Sequence, residues 1–147
     1  LDGEAEVRVL PGANRVRWLA DVLVLEARPE ADLGMLATRA LQKRALSHFG
    51  GRLAHYTGRL ELDTPKLALS SAHTRWGSCS RHGGIRLNWR LIHLPAHLGD
   101  YVVAHEVAHL LEMNHSERFW NVVSSVYPEW KAARAELKQR ATSMPIL

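Results

Sequence analysis

Between Glu6 and Ala27 apolar and charged positions alternate: Val7 and Val9 flank Arg8, Val16 and Trp18 flank Arg17, and the unbroken run Val22-Leu23-Val24-Leu25 follows. A period of two puts successive side chains on opposite faces of a strand. The segment therefore predicts a meander of about three antiparallel strands, with turns at Pro11-Gly12-Ala13-Asn14 and Ala20-Asp21. The period then lengthens. After Asp32, a fitting helix N-cap, Leu33, Leu36, Ala40, Leu41 and Leu46 recur as one apolar stripe. Gly50-Gly51 follows, and a glycine pair costs on the order of 2 kcal/mol inside a helix. The expectation is a break there, with Leu53, Tyr56 and Leu60 beyond it.

Lys66 to Ala72 reads as a further strand, and Arg75 to Ser80 with Ile85 to Leu87 as a hairpin closing at Gly83-Gly84. The remainder has helical spacing. Pro95 opens a pattern through Leu98, Tyr101, Val102, His105, Ala108, His109 and Glu112; Ser116 caps a second with Phe119, Trp120 and Val123; Pro128 opens a third through Leu137. The predicted class is α+β: N-terminal antiparallel strands and a helix, then a hairpin, then a helical C-terminal half. No repeat interrupts it, and residues 1–147 are expected to form a single domain.

Composition narrows the chemistry. With 46% hydrophobic and 23% charged residues the chain reads as an ordinary globular domain. Its apolar runs fall far short of the roughly 20 residues that span a bilayer, so no membrane partner is expected. Leu1 to Glu6 lack the basic start and apolar stretch of a secretory signal, which points to the cytoplasm. Cys79 is the only cysteine, which excludes an internal disulfide and any multi-thiolate metal site. The formal charge of +4 comes with arginines scattered from Arg8 to Arg140. Such scatter reads as solvated surface and gives nucleic-acid binding little support. Oligomeric state is left open.

The chemistry lies in His105-Glu106-Val107-Ala108-His109. On a helix, residues four apart share a face one turn apart, so both imidazoles can reach one cation. Glu106 projects about 100° around the axis, beside the ion, where it can accept a proton from a water whose pKa the metal lowers to roughly 7. The structural alternative would bury two histidines and a glutamate among Val102, Val103, Val107, Leu110 and Leu111 without evident partners.

A catalytic zinc takes three protein ligands and keeps one position open. His115 stands at the third-histidine spacing of H-E-x-x-H-x-x-G-x-x-H, with Glu112 in place of the glycine. Asn114, tolerant of the left-handed conformation, offers a turn at Met113-Asn114 that swings His115 back. The competing ligand is Glu129, which Pro128 places in the first turn of a helix. Cys79, His73, His93 and His97 are weaker candidates. His115 is preferred.

Several ordered blocks, Thr74 to Cys79, Leu87 to Ile92, Pro95, Tyr101 to Glu106, Asn114-His115-Ser116 and Phe119-Trp120, make the second half resemble the YgjP-like metallopeptidases, relatives of the SprT-like proteins. The resemblance implies a zincin-like α+β domain in which His105, His109 and His115 bind zinc and Glu106 is catalytic.

The reaction so implied is hydrolysis of a peptide or protein substrate, with zinc as cofactor. A developing oxyanion needs a further donor, for which Arg75, His73 and Tyr127 are the candidates. Trp76-Gly77-Ser78 suits an edge strand lining the cleft, and equally a tight core hairpin with Trp76 and Cys79 buried. Two rival functions remain. A nucleotide phosphoanhydride hydrolase would use the same activated water with magnesium or manganese, and a zinc-containing binding module would hydrolyse little or nothing.

Overall fold

The computed structural model describes residues 6–11, 15–19, 22–27, 32–72, 74–82 and 84–141. Its N-terminal sheet holds β1 (Glu6–Pro11), β2 (Arg15–Leu19) and β3 (Val22–Ala27) in the order β1-β3-β2. β3 is antiparallel to β2, with Val16 opposite Leu25, but parallel to β1, with Val7 opposite Leu23. The expected all-antiparallel meander is thus corrected to a mixed sheet. The physical reason lies in β3, whose continuous apolar run suits the central position; Leu23 and Val24 are buried there. The turns anticipated around 12–14 and 20–21 lie outside the described residues.

A single helix, α1 (Leu33–Arg59), follows. The Asp32 carboxylate accepts from the Met35 amide at 3.0 Å, the expected cap. The helix runs through Gly50-Gly51 without the anticipated break. Both glycines lie where an added Cβ would touch nothing within 4 Å, while Phe49, Leu53 and Tyr56 are buried around them. Burying three such side chains contributes roughly 1.5–3 kcal/mol each, more than the glycines cost. The buried face is Ala40, Ala45, Phe49, Leu53, Tyr56 and Thr57; Leu33 and Leu46, expected on it, are 39% and 43% exposed.

The second sheet comprises β4 (Leu67–Ser70), β5 (Gly77–Ser80) and β6 (Gly84–Asn88), in the order β4-β6-β5. The predicted hairpin is present, with Cys79 opposite Ile85, and β4 lies parallel on the other side of β6. Gly84 has φ +85°, and a Cβ there would stand 2.5 Å from the Lys66 carbonyl oxygen, so only glycine fits. The buried Asn88 ends β6. Its amide donates to the carbonyls of Ala72 at 2.6 Å and Arg75 at 3.3 Å, while its oxygen accepts from the Arg90 amide at 3.0 Å. One side chain thereby ties the segment before β5 to a 3-10 turn at Trp89–His93, an element the sequence reading did not separate.

Three helices complete the molecule: α2 (Ala96–Ala108), α3 (Glu117–Val126) and α4 (Trp130–Ala141). Nine residues of α2 are buried, because it packs against α1, α3, α4 and β5 at once. Arg52 on α1 grips Asp100 on α2 through two bonds of 2.9 and 2.7 Å, with the Tyr56 hydroxyl donating to the same carboxylate at 3.1 Å. Ser116 caps α3 as expected, its hydroxyl accepting from the Phe119 amide at 3.3 Å. Glu129 precedes α4 instead of lying within it, its carbonyl accepting from the Ala133 amide at 3.1 Å. Among the described residues no helix is long and apolar enough to cross a membrane.

Candidate metal centre

His105 and His109 stand one turn apart at the end of α2, and Glu106 between them lines the same cavity as His105. The helix then tightens: the amides of Leu110 and Leu111 donate to the carbonyls of Val107 and Ala108 at 2.9 and 3.0 Å. The chain bends at Met113 and Asn114, returning His115 toward α2. Asn114 does this without a left-handed backbone, since Glu61 is the one non-glycine with positive φ among the described residues. The tight last turn performs the reversal for which a left-handed Asn114 was anticipated.

Three imidazoles meet as a result. Nε2 of His115 lies 3.1 Å from Nε2 of His109 and 3.2 Å from Nε2 of His105, and the candidate ligand atoms all fall within 4.8 Å of one another. A tetrahedral zinc bound at about 2.0–2.1 Å sets its nitrogen ligands roughly 3.3 Å apart, so the spacing suits one cation. Protonation suits it too. Burial, reinforced by the neighbouring imidazoles, pushes His105 down to about 3, and burial also lowers His109. Both rings are neutral near pH 7 and keep a lone pair for a metal.

The surrounding groups aim the rings. Nδ1 of His109 lies 3.1 Å from the Glu112 carbonyl oxygen, to which only an Nδ1–H can donate, leaving Nε2 as the ligand atom. Thus Glu112, at the position of the metzincin glycine, contributes its backbone. The Tyr101 hydroxyl stands 3.4 Å from Nδ1 of His105. Phe119 is fully buried, its ring centroid 4.9, 4.4 and 4.9 Å from those of His105, His109 and His115. Trp120, half-buried, flanks His105 and His115 and stacks on Trp130 at 4.2 Å.

Glu106 is 5% exposed, and no hydrogen bond engages its carboxylate among the described residues. Burial pushes it up to about 7, opposed by the charge of Arg75. Edge strand β5 lies directly against it: a Cβ on Gly77 would stand 3.0 Å from both Cγ and Oε2 of Glu106. Trp76, Gly77, Tyr101, Val102, His105 and Glu106 wall a cavity of about 370 Å³ closed by Arg134, Leu137 and Lys138 of α4. Trp76 and Cys79 are half-buried, which favours the edge-strand alternative over the core hairpin.

The other residues singled out by sequence are dispersed. Glu129 is exposed ahead of α4 and is not part of the histidine cluster. His97 pairs with Glu136 at 2.9 Å, and His93 packs edge-on to Trp89. The Tyr127 hydroxyl donates to the His97 carbonyl at 3.0 Å. Arg75 is exposed, and His73 lies outside the described residues. Sequence reasoning put Tyr101 on the helical face of His105, four residues on, but gave it no role at the site. Arg134 and Lys138 carried no such signal.

Residues 4–140 match the YgjP-like metallopeptidase domain. The chain is also similar to the crystal structure of the metallopeptidase zymogen abylysin from Pyrococcus abyssi, with 26% identity and a TM-score of 0.56 over 61% of this chain and 91% of that one. No curated protein matches it. The α+β, zincin-like fold expected from the sequence is thereby met.

Proposed function

The chain belongs to the YgjP-like metallopeptidase family, and on that premise we propose that it is a zinc peptidase in which His105, His109 and His115 hold the metal and Glu106 is the general base. The observation that carries this reading is the convergence of three Nε2 atoms near a buried carboxylate that has no hydrogen bond among the described residues. Three imidazole ligands favour zinc over magnesium or manganese, which prefer oxygen ligands. When bound, the cation supplies Lewis acidity, polarising a carbonyl and lowering the pKa of water to roughly 7.

The chain's own residues do the rest. The Glu106 carboxylate takes a proton from water as the oxygen bonds to the peptide carbon. It then delivers that proton to the departing nitrogen as the C–N bond breaks. Raised toward 7 by burial, Glu106 has the proton affinity for both steps near neutral pH. Edge strand β5 offers its outer edge to an extended peptide, and the close approach of Gly77 to Glu106 supports such a peptide lying near the carboxylate.

The test is elemental analysis of the purified protein with His115→Ala and Glu129→Ala, beside turnover of an unfolded protein substrate by Glu106→Gln. We expect one zinc per chain, lost in His115→Ala and kept in Glu129→Ala, and a turnover in Glu106→Gln lower by a factor of roughly 10² or more. Retained zinc in His115→Ala with loss in Glu129→Ala overturns the ligand set. Magnesium- or manganese-dependent nucleotide hydrolysis with no peptide cleavage overturns the reaction.

A further inference from the structure

The cavity beside Glu106 has a charged rim that hydrolysis does not explain. Besides His105 and Glu106, Trp76, Val102 and Leu137 give it apolar wall, and the exposed Arg134 and Lys138 line it as well. These two cations lie four apart on α4, on one face and mutually repulsive. Neither has a carboxylate partner among the described residues. The acid between them, Glu136, faces away and is engaged by His97 at 2.9 Å and Arg140 at 2.8 Å. The Arg134 guanidinium lies 5.1 Å over the ring of Trp120, which Trp130 stacks against in turn. Stacking fixes the guanidinium plane and leaves its edge N–H donors for a ligand. Nor does the pair neutralise Glu106, on which the acting cation is Arg75.

A cavity with apolar wall and two cations that lack a carboxylate partner among the described residues matches a group with a hydrocarbon stem and a terminal anion. We propose that this cavity is the subsite for the residue next to the scissile bond and selects a peptide carboxylate, with Arg134 and Lys138 as its specificity-determining residues. The carboxylate comes either from an acidic side chain or from the C-terminus of the peptide. The proposal rests on the peptidase reading given above.

The test uses the zinc-loaded protein and three short peptides made uncleavable by N-methylation of the central bond. One carries Glu after that bond and a C-terminal amide, one carries Gln and an amide, and one ends there in Gln with a free carboxylate. Binding is followed by calorimetry. We expect one or both carboxylate peptides to bind about tenfold more tightly than the neutral one, with the stronger of the two identifying the source. The preference should shrink at high salt and fall to within twofold in the double variant Arg134→Gln/Lys138→Gln, whose melting temperature and zinc content stay unchanged because both side chains are exposed. Equal binding of all three peptides by the unmodified protein, or a preference that survives the double variant, overturns the proposal. Failure of the peptidase reading is seen separately, as retained preference with no cleavage of the unmethylated peptides.

Discussion

Gly77 and Glu106 touch across the cleft so closely that a methyl group at residue 77 would lie 3.0 Å from both Cγ and Oε2 of the carboxylate. The strand that lines the cleft and the carboxylate proposed as the base are therefore one mechanical unit. Gly77→Ala must displace Glu106 by a few tenths of an ångström or more, because Leu87, at 3.2 Å, also crowds the new methyl group. Misplacing a catalytic group by about 1 Å costs on the order of 10² in rate. The expected outcome is at least a tenfold lower kcat with unchanged zinc content, since no imidazole is touched. Full activity in the variant would show that Glu106 has room to spare.

Phe119 is the shared wall of the three imidazoles. Truncation to alanine would cost roughly 3–5 kcal/mol and risk unfolding, so Phe119→Leu is the better probe. It keeps an apolar filler but leaves the rings less restrained, and loss of an orienting neighbour commonly weakens metal binding 10- to 100-fold. Zinc affinity measured against a chromophoric chelator should fall about tenfold. An unchanged affinity would mean that the backbone alone positions the ligands.

How legible all this was in the sequence varied with the range of the interaction. The one-turn spacing of His105 and His109 on their helical face, the caps at Asp32 and Ser116 and the β5–β6 hairpin depend on neighbours within a few residues, and periodicity found them. Alternation marked β1, β2 and β3 as strands but says nothing of which lies beside which, so the parallel pairing of Val7 with Leu23 was missed. The cost of Gly50-Gly51 is local, while the burial of Phe49 and Leu53 that offsets it comes from distant elements. Arg134 and Lys138 reach the cleft only because α4 packs on α2, a tertiary fact without a motif.

The metal-free protein should show a pH dependence with two opposed parts. His105, buried and pushed down to about 3 from an ordinary 6.5, binds fewer protons folded than unfolded, so its contribution to stability is lost as pH falls below 6.5. Glu106, pushed up to about 7 from 4.5, binds more protons folded, so it favours the folded state progressively as pH falls from 7 toward 4.5. Between about pH 4.5 and 6.5 Glu106 offsets only part of the histidine penalty, to which His109, His48 and His93, also lowered by burial, add; below about 4.5 it offsets no further loss. Denaturant titrations of chelator-treated protein should thus show a gradual loss from about pH 6.5 to 4.5 and a steeper one beneath it. In Glu106→Gln the loss between 6.5 and 4.5 should be steeper than in the unmodified protein. Coincident profiles for the two proteins would contradict the opposed titration.

The continuity of α1 supplies a prediction about stability alone. Gly51 lies mid-helix, exposed, with nothing within 4 Å of where its Cβ would stand. Glycine there leaves the unfolded chain with freedom that folding must remove, so Gly51→Ala should stabilise by about 0.4–1 kcal/mol. For a chain of this size that corresponds to roughly 2–5 °C in Tm. The site is remote from the histidines, so zinc content and peptide turnover should not move. A lower Tm would show that the helix needs its glycine pair for a bend or a close neighbour, and that the uninterrupted α1 described above is wrong.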